Sequence, residues 1–164
     1  MKIQVRYGTF ETNSSSMHSL VLGTLQNKSY PKMDKVITFC EFGWGYDELR
    51  TPNQKLNYFA TYFANYGGID LALSESLSDH EIMNALCRHK HFQWAMDVIC
   101  TKYGISKNDF SFEYESAYSP FGYIDHQSVE TICEVLHDDE TLFKGIFVVY
   151  LFGDSFVVID NDNH

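Results

Sequence analysis

The residue types that could perform chemistry are most concentrated between Thr12 and Ser19. Their short hydroxyl and amide side chains can hydrogen-bond phosphate oxygens, and a histidine beside them can act as a general acid or base near neutral pH. The candidate ligand-binding residues are Thr12, Asn13, Ser14, Ser15, Ser16, His18 and Ser19. His18 is also the candidate catalytic residue. This segment, called the Ser-rich segment below, predicts either a phosphate-ligand or nucleotide site or an enzyme active site.

The Ser-rich segment also has a purely structural interpretation. Asn and Ser side chains commonly bond nearby backbone N–H groups where the chain turns between two strands. The segment contains no Lys or Arg, and no helix begins directly behind it, so the usual donors to phosphate are missing. An anion site would need Arg6, Arg50 or Lys55 to fold over the segment, and a structural turn would not.

Residues 8 to 19 read Gly-Thr-Phe-Glu-Thr-Asn-Ser-Ser-Ser-Met-His-Ser. This stretch resembles an N-terminal signature, G-x-F-E-T-N-S-S-S-x-H-S, of uncharacterised proteins from bacteriophages and mobile elements. The resemblance implies a provenance in a bacterial host. It implies no reaction and assigns no role to any residue.

The net negative charge of the chain comes almost entirely from its last third. Residues 1–108 carry 11 basic and 10 acidic side chains, whereas residues 109–164 carry 12 acidic side chains and a single Lys, for a formal charge of −10 overall. Such a region repels nucleic acid and attracts basic partners, although an acidic surface also serves solubility alone. The candidate partner-binding residues are Asp125, Glu130, Glu134, Asp138, Asp139 and Glu140.

Together with the phage-like resemblance, this charge predicts an accessory protein that binds a host protein and no nucleic acid directly. The expected partner handles nucleic acid, and the expected effect is inhibition by a carboxylate-rich surface, as in phage inhibitors of CRISPR and restriction systems. Whether the chain is also an enzyme is left open. A purely structural or regulatory component without any ligand is a third alternative.

Two other pairs of residues give weaker indications of a chemical role. Glu113 and Glu115 share one face of a predicted strand and are interpreted as two solvated carboxylates. Cys87 and His91 share a helical face, but no second ligand pair with a zinc spacing accompanies them, so no metal is predicted. No cofactor is predicted either.

The composition fits one domain spanning residues 1–164. Its 13 Phe, 11 Tyr and 2 Trp favour a packed core over disorder. The first residues lack the apolar stretch of a secretory signal, and no apolar run reaches the roughly 18 residues that cross a bilayer. These features predict a cytoplasmic protein, while the oligomeric state is not predicted.

The hydrophobic pattern predicts an α+β fold with a mostly antiparallel sheet, about three helices packed on it and a C-terminal β-hairpin. Helices are expected from Thr51–Pro52 to Gly67, over residues 79–103 as one helix or as two broken near His89, and over Val129–Leu136. Apolar residues on either side of Gly153-Asp154 predict a hairpin over residues 146–159.

Overall fold

A computed structural model of the protein describes residues 3–5, 16–25, 30–43, 45–66, 77–115, 119, 121–124 and 131–161. The strands are β1 (Ile3–Val5), β2 (Ser16–Leu22), β3 (Val36–Phe39), β4 (Glu41–Phe42), β5 (Asp47–Leu49), β6 (Ser111–Tyr114), β7 (Tyr123–Ile124) and β8 (Phe156–Asn161). The helices are α1 (Pro52–Tyr66), α2 (Asp79–Leu86), α3 (Lys90–Tyr103) and α4 (Glu140–Phe152). The fold is therefore α+β.

A four-stranded antiparallel sheet in the order β1-β2-β8-β5 forms one part of the fold. In the β2–β8 pair, His18 lies opposite Ile159 and Leu20 lies opposite Val157. Two short parallel pairs, β3–β6 and β4–β7, stand beside this sheet. The sheet is mostly antiparallel, as predicted.

The predicted starts of α1 and α2 and the predicted end of α3 are found in the structure, whereas the predicted end of α1 at Gly67 lies outside the described residues. Thr51 Oγ1 accepts the Gln54 N–H at 3.2 Å at the start of α1. Ser78 and Glu81 form a reciprocal capping box at the start of α2. Residues 87–89 separate α2 from α3, and α3 ends at Gly104, whose φ of +61° is the left-handed conformation that glycine adopts easily. Residues 79–103 therefore form two helices, which is one of the two alternatives that the pattern left open.

The predicted C-terminal hairpin is wrong. Residues 146–152 belong to α4, and only β8, from Phe156, is a strand. The Asp139 side chain accepts the Leu142 N–H at 2.8 Å and so caps the start of this helix. A strand would direct successive side chains to opposite faces. The helix instead places Phe143, Phe147 and Tyr150 on one side, where all three are buried.

The predicted helix Val129–Leu136 is a short 3₁₀ turn over residues 131–134 in its described part, while residues 129 and 130 lie outside it. The spacing of Val129, Ile132, Cys133 and Leu136 predicted one buried face, and of these Ile132 is buried whereas Cys133 is exposed. Val135, which lies outside that spacing, is completely buried. A single hydrophobic core connects the helices and the sheets, and aromatic rings such as Phe39, Phe59 and Phe147 are completely buried in it. Among the helices that the structure describes, none has the length and apolar character needed to span a bilayer.

Candidate functional site

His18, the candidate catalytic residue, lies in the middle of β2 with its side chain directed into the core. Strand alternation buries His18 and Leu20 on the same face of β2, and His18 is only 2% exposed. Its Nδ1 shares a hydrogen bond of 2.8 Å with the Tyr58 hydroxyl of α1. Its two neighbours in the candidate set, Ser16 and Ser19, lie opposite Asn161 and Val158 of β8.

A buried polar cluster forms around this histidine. Thr131 Oγ1 donates to the His18 carbonyl oxygen at 3.2 Å. Burial raises the pKa of Tyr58 well above its usual range. The cluster therefore joins β2, α1 and the 131–134 turn by hydrogen bonds inside the core.

Most of the remaining Ser-rich segment lies outside the residues that the structure describes. Thr12, Asn13, Ser14 and Ser15 lie outside the described residues, as does Arg6, and of Ser16 only the backbone is described. The predicted ligand role of the segment stays a prediction.

Two of the three cations that could complete an anion site, Arg50 and Lys55, have other partners in the structure. Arg50 pairs with Glu48 at 2.5 Å and lies 3.9 Å above the ring of Phe156. Phe156 is opposite Val21, five residues along β2 from Ser16, which is about 17 Å at the rise of a strand. The structure therefore places this guanidinium near the end of β2 that is farther from Ser16.

Lys55 is the second of these cations and is completely buried. Its Nζ donates to the carbonyl oxygens of Ser155 at 3.0 Å and Gly153 at 3.3 Å, beyond the C-terminal end of α4. The Tyr150 hydroxyl donates in turn to the Lys55 carbonyl at 2.9 Å. Burial lowers the pKa of Lys55 to about 8, and the Asp154 carboxylate opposes this shift. This lysine ties α1 to the α4–β8 connection.

The acidic candidates divide into four that the structure describes and two, Asp125 and Glu130, that lie outside it. Asp138 pairs with Lys90 at 2.5 Å, and Glu140 pairs with Lys144 at 2.6 Å. The ion pair with Lys90 holds the pKa of Asp138 below its usual value. Asp139 caps α4, and Glu134 is half-buried in the 131–134 turn. Three consecutive carboxylates thus surround the start of α4.

Glu113 and Glu115 are exposed on β6 and just after it, as the alternation predicted. The Cys40 thiol lies 3.5 Å from Glu115 Oε2. Burial, followed by the negative charge of Glu115, raises the pKa of Cys40 to about 12. The thiol therefore stays protonated at neutral pH, which makes it a poor nucleophile.

The Cys87–His91 pair does not act as a ligand pair in the structure. His91 Nε2 lies 2.8 Å from the carbonyl oxygen of His137, and the Cys87 thiol contacts Met83. Among the residues described, no three His, Cys, Asp or Glu side chains come close enough together to hold a metal ion.

An open groove of about 560 Å³ runs along the exposed side of α4, called the α4 groove below. Its walls include Leu22, Gly23, Leu142, Gly145, Ile146 and Val149. Sequence reasoning missed this groove because it assigned these α4 residues to a strand. The signal that could have revealed the helix is the Asp139 cap, followed by Glu140 and Lys144 at the i, i+4 spacing of a helical ion pair.

Comparison with known protein families, with curated proteins and with solved structures finds no match to this chain. The resemblance of residues 8–19 to phage and mobile-element proteins stays a prediction.

Proposed function

We propose that this chain is a bacteriophage or mobile-element accessory protein that binds a host protein through its acidic C-terminal third. The partner is a protein that handles nucleic acid, and binding inhibits it by occupying a surface that otherwise meets phosphates.

The observation that supports this proposal is the excess of uncompensated carboxylates after residue 108. Nine acidic side chains of this region are described, and three of them, Asp109, Asp138 and Glu140, form ion pairs with lysines. The six without an ion pair within the described residues are Glu113, Glu115, Glu134, Asp139, Asp154 and Asp160.

An unbalanced negative surface raises the encounter rate with a basic partner and makes the association sensitive to salt. Phosphate-binding surfaces of nucleic-acid-handling proteins are clusters of Lys and Arg, and so they have the complementary charge. The acidic surface would then compete with nucleic acid for the same basic groups.

The test is affinity capture from a bacterial host lysate, followed by elution with increasing salt. Raising the salt from about 0.1 M to about 1 M shortens the Debye length from about 10 Å to about 3 Å and weakens exposed charge pairs. We expect a nucleic-acid-handling protein in the salt eluate. We also expect the chain to reduce that protein's nucleic-acid binding in a mobility-shift assay.

A matched pair of variants separates specific from general charge effects. Glu113→Gln with Glu115→Gln removes two exposed carboxylates of the acidic third, whereas Asp34→Asn with Asp47→Asn removes two exposed carboxylates outside it. We expect the first pair to weaken capture more than the second. Equal capture by both pairs, or a captured protein whose nucleic-acid binding is unaffected, would contradict the proposal.

A further inference from the structure

The helix α4 is apolar on nearly all sides, and one of its apolar faces is turned to solvent. Its inner face packs Phe143, Phe147 and Leu151 in the core. On the other side Leu142 is 50% exposed and Ile146 and Val149 are only half-buried. The spacing of Leu142, Ile146 and Val149 is i, i+4, i+7, which forms a continuous stripe along a helix. This stripe is the floor of the α4 groove.

Two glycines shape the groove. A Cβ atom placed on Gly145 would meet no atom within 4 Å, so the helix surface is low and open at this point. A Cβ on Gly23 would collide with Asp154, because the Gly23–Thr24 backbone is held against the α4–β8 connection. Gly23 N–H donates to Ser155 Oγ at 2.9 Å, and the Asp154 N–H donates to the Thr24 carbonyl at 3.3 Å. The wall opposite α4 is therefore fixed in place.

Two carboxylates lie close to the groove, one near each end of α4. Asp139 lines it where α4 begins, and Asp154 lies beside Gly23 where α4 has ended. Each accepts a backbone N–H, and neither is ion-paired with a Lys or Arg in the described part of the chain. An occupant that places apolar side chains on Leu142, Ile146 and Val149 would therefore meet the Asp139 carboxylate and come close to Asp154 beside Gly23.

We infer that the α4 groove binds a segment of a partner protein that carries two or three apolar side chains flanked by Lys or Arg. Charge complementarity selects this occupant: a second copy of this chain would bring its own acidic C-terminal third to the same place. The volume of about 560 Å³ lies within the roughly 300–1,000 Å³ typical of binding pockets, and the open shape along a helix suits a peptide segment. The inference rests on the proposed function, because it names an apolar anchor for the partner beside carboxylates of the acidic C-terminal third.

The test uses a displayed library of random twelve-residue peptides selected on the wild-type protein. We expect the enriched peptides to combine large apolar residues with Lys or Arg, and a fluorescent copy of one to bind in an anisotropy titration. Gly145→Gln places a longer side chain at the groove, where a Cβ meets no atom within 4 Å, and removes a glycine from a helix interior, so the variant should fold at least as well as the wild type. We expect it to weaken binding at least tenfold.

Gly45→Gln is the matched control, because a Cβ at Gly45 also meets no atom within 4 Å and lies outside the groove. It should bind the peptide like the wild type. Asp139→Asn keeps a good N-cap for α4 while removing one charge, so it should weaken binding and reduce its dependence on salt.

No enrichment over the naive library would overturn the inference, as would equal binding by Gly145→Gln and wild type. Dimerisation of the wild type that Gly145→Gln abolishes would overturn it in favour of a second copy. The lysate experiment distinguishes this failure from that of the proposed function. If Gly145→Gln still captures the nucleic-acid-handling partner, the function stands without the groove. If peptides bind the groove but no such partner is captured, the groove stands without that function.

Discussion

The contribution of buried Lys55 to the stability of the protein should increase as the pH rises above 8. In the folded protein burial lowers the pKa of this lysine to about 8, whereas its ordinary value of 10.5 applies to the unfolded chain. Below pH 8 the lysine is protonated in both states, and the cost of burying the charge is fully present. Between pH 8 and 10.5 the folded state releases its proton while the unfolded chain keeps it, so the free energy of unfolding increases.

The size of the effect follows from the difference between the two pKa values. One pKa unit corresponds to about 1.4 kcal/mol, so the difference of about 2.5 units gives a maximum of about 3 kcal/mol. At pH 9, one unit above the folded value, roughly 1.4 kcal/mol of this gain should be present.

The measurement is the difference in unfolding free energy between the wild type and Lys55→Met, obtained from urea denaturation at pH 7, 8, 9 and 10. Cys40, Tyr58 and Tyr150 have raised pKa values and oppose the trend in alkaline solution, but they are present in both proteins and cancel in the difference. The offset at pH 7 contains the cost of leaving two carbonyls without their donor. The slope above pH 8 isolates the titration of Lys55.

Lys32→Met provides the control, since Lys32 is exposed. The difference between the wild type and this variant should be flat from pH 7 to 10. A flat or falling difference for Lys55→Met would refute the reasoning, because it would mean that the ammonium of Lys55 is as stable in the core as in water.

Three further changes should alter stability in calculable directions, measured by thermal melting followed by circular dichroism. Tyr58→Phe removes the hydroxyl that hydrogen-bonds His18 Nδ1, so it should cost about 1–3 kcal/mol and lower the Tm by about 2–12 °C. Tyr46→Phe, at an exposed position, should change stability by less than about 0.5 kcal/mol, and equal losses would contradict the buried cluster. Gly104→Ala should destabilise by about 1 kcal/mol because its φ is positive, whereas Gly145→Ala should stabilise by up to about 1 kcal/mol, and shifts of the same sign would contradict the assigned backbone conformations. Ser78→Ala should cost about 1 kcal/mol by removing the capping box of α2, and an unchanged melt would show that the cap contributes nothing.

The elements that the sequence predicted well are those with local chemical signals. Ser78 and Glu81 mark the start of α2 because their side chains bond the first backbone N–H groups within the same turn. Gly104 marks the end of α3 because few other residues adopt a positive φ without strain. Such signals depend on residues three or four apart and need no knowledge of the tertiary structure.

α4 was missed because its apolar pattern is set by tertiary contacts. It packs against both α1 and α3, and so apolar residues surround most of its circumference. A helix of this kind gives a continuous apolar run that periodicity cannot distinguish from a buried strand. The α4 groove was not predicted for the same reason.

The candidate site was predictable only in part. The sequence pointed to His18, but the partners of this histidine, Tyr58 and Thr131, are 40 and 113 residues away along the chain. Lys55 was considered as a cation for an anion site, and its burial beside Ser155 depends on a contact across 100 residues. Contacts over such separations leave no periodic trace in the sequence.

The central position of β8 sets an order of events during synthesis. β8 follows every other described element in the chain, yet it lies between β2 and β5 and pairs with both. Until Phe156–Asn161 has left the ribosome, β2 and β5 cannot be joined in their final arrangement, and each presents an unpaired edge on the β8 side. In the nascent chain β2 and β5 therefore expose unpaired edges until β8 joins them.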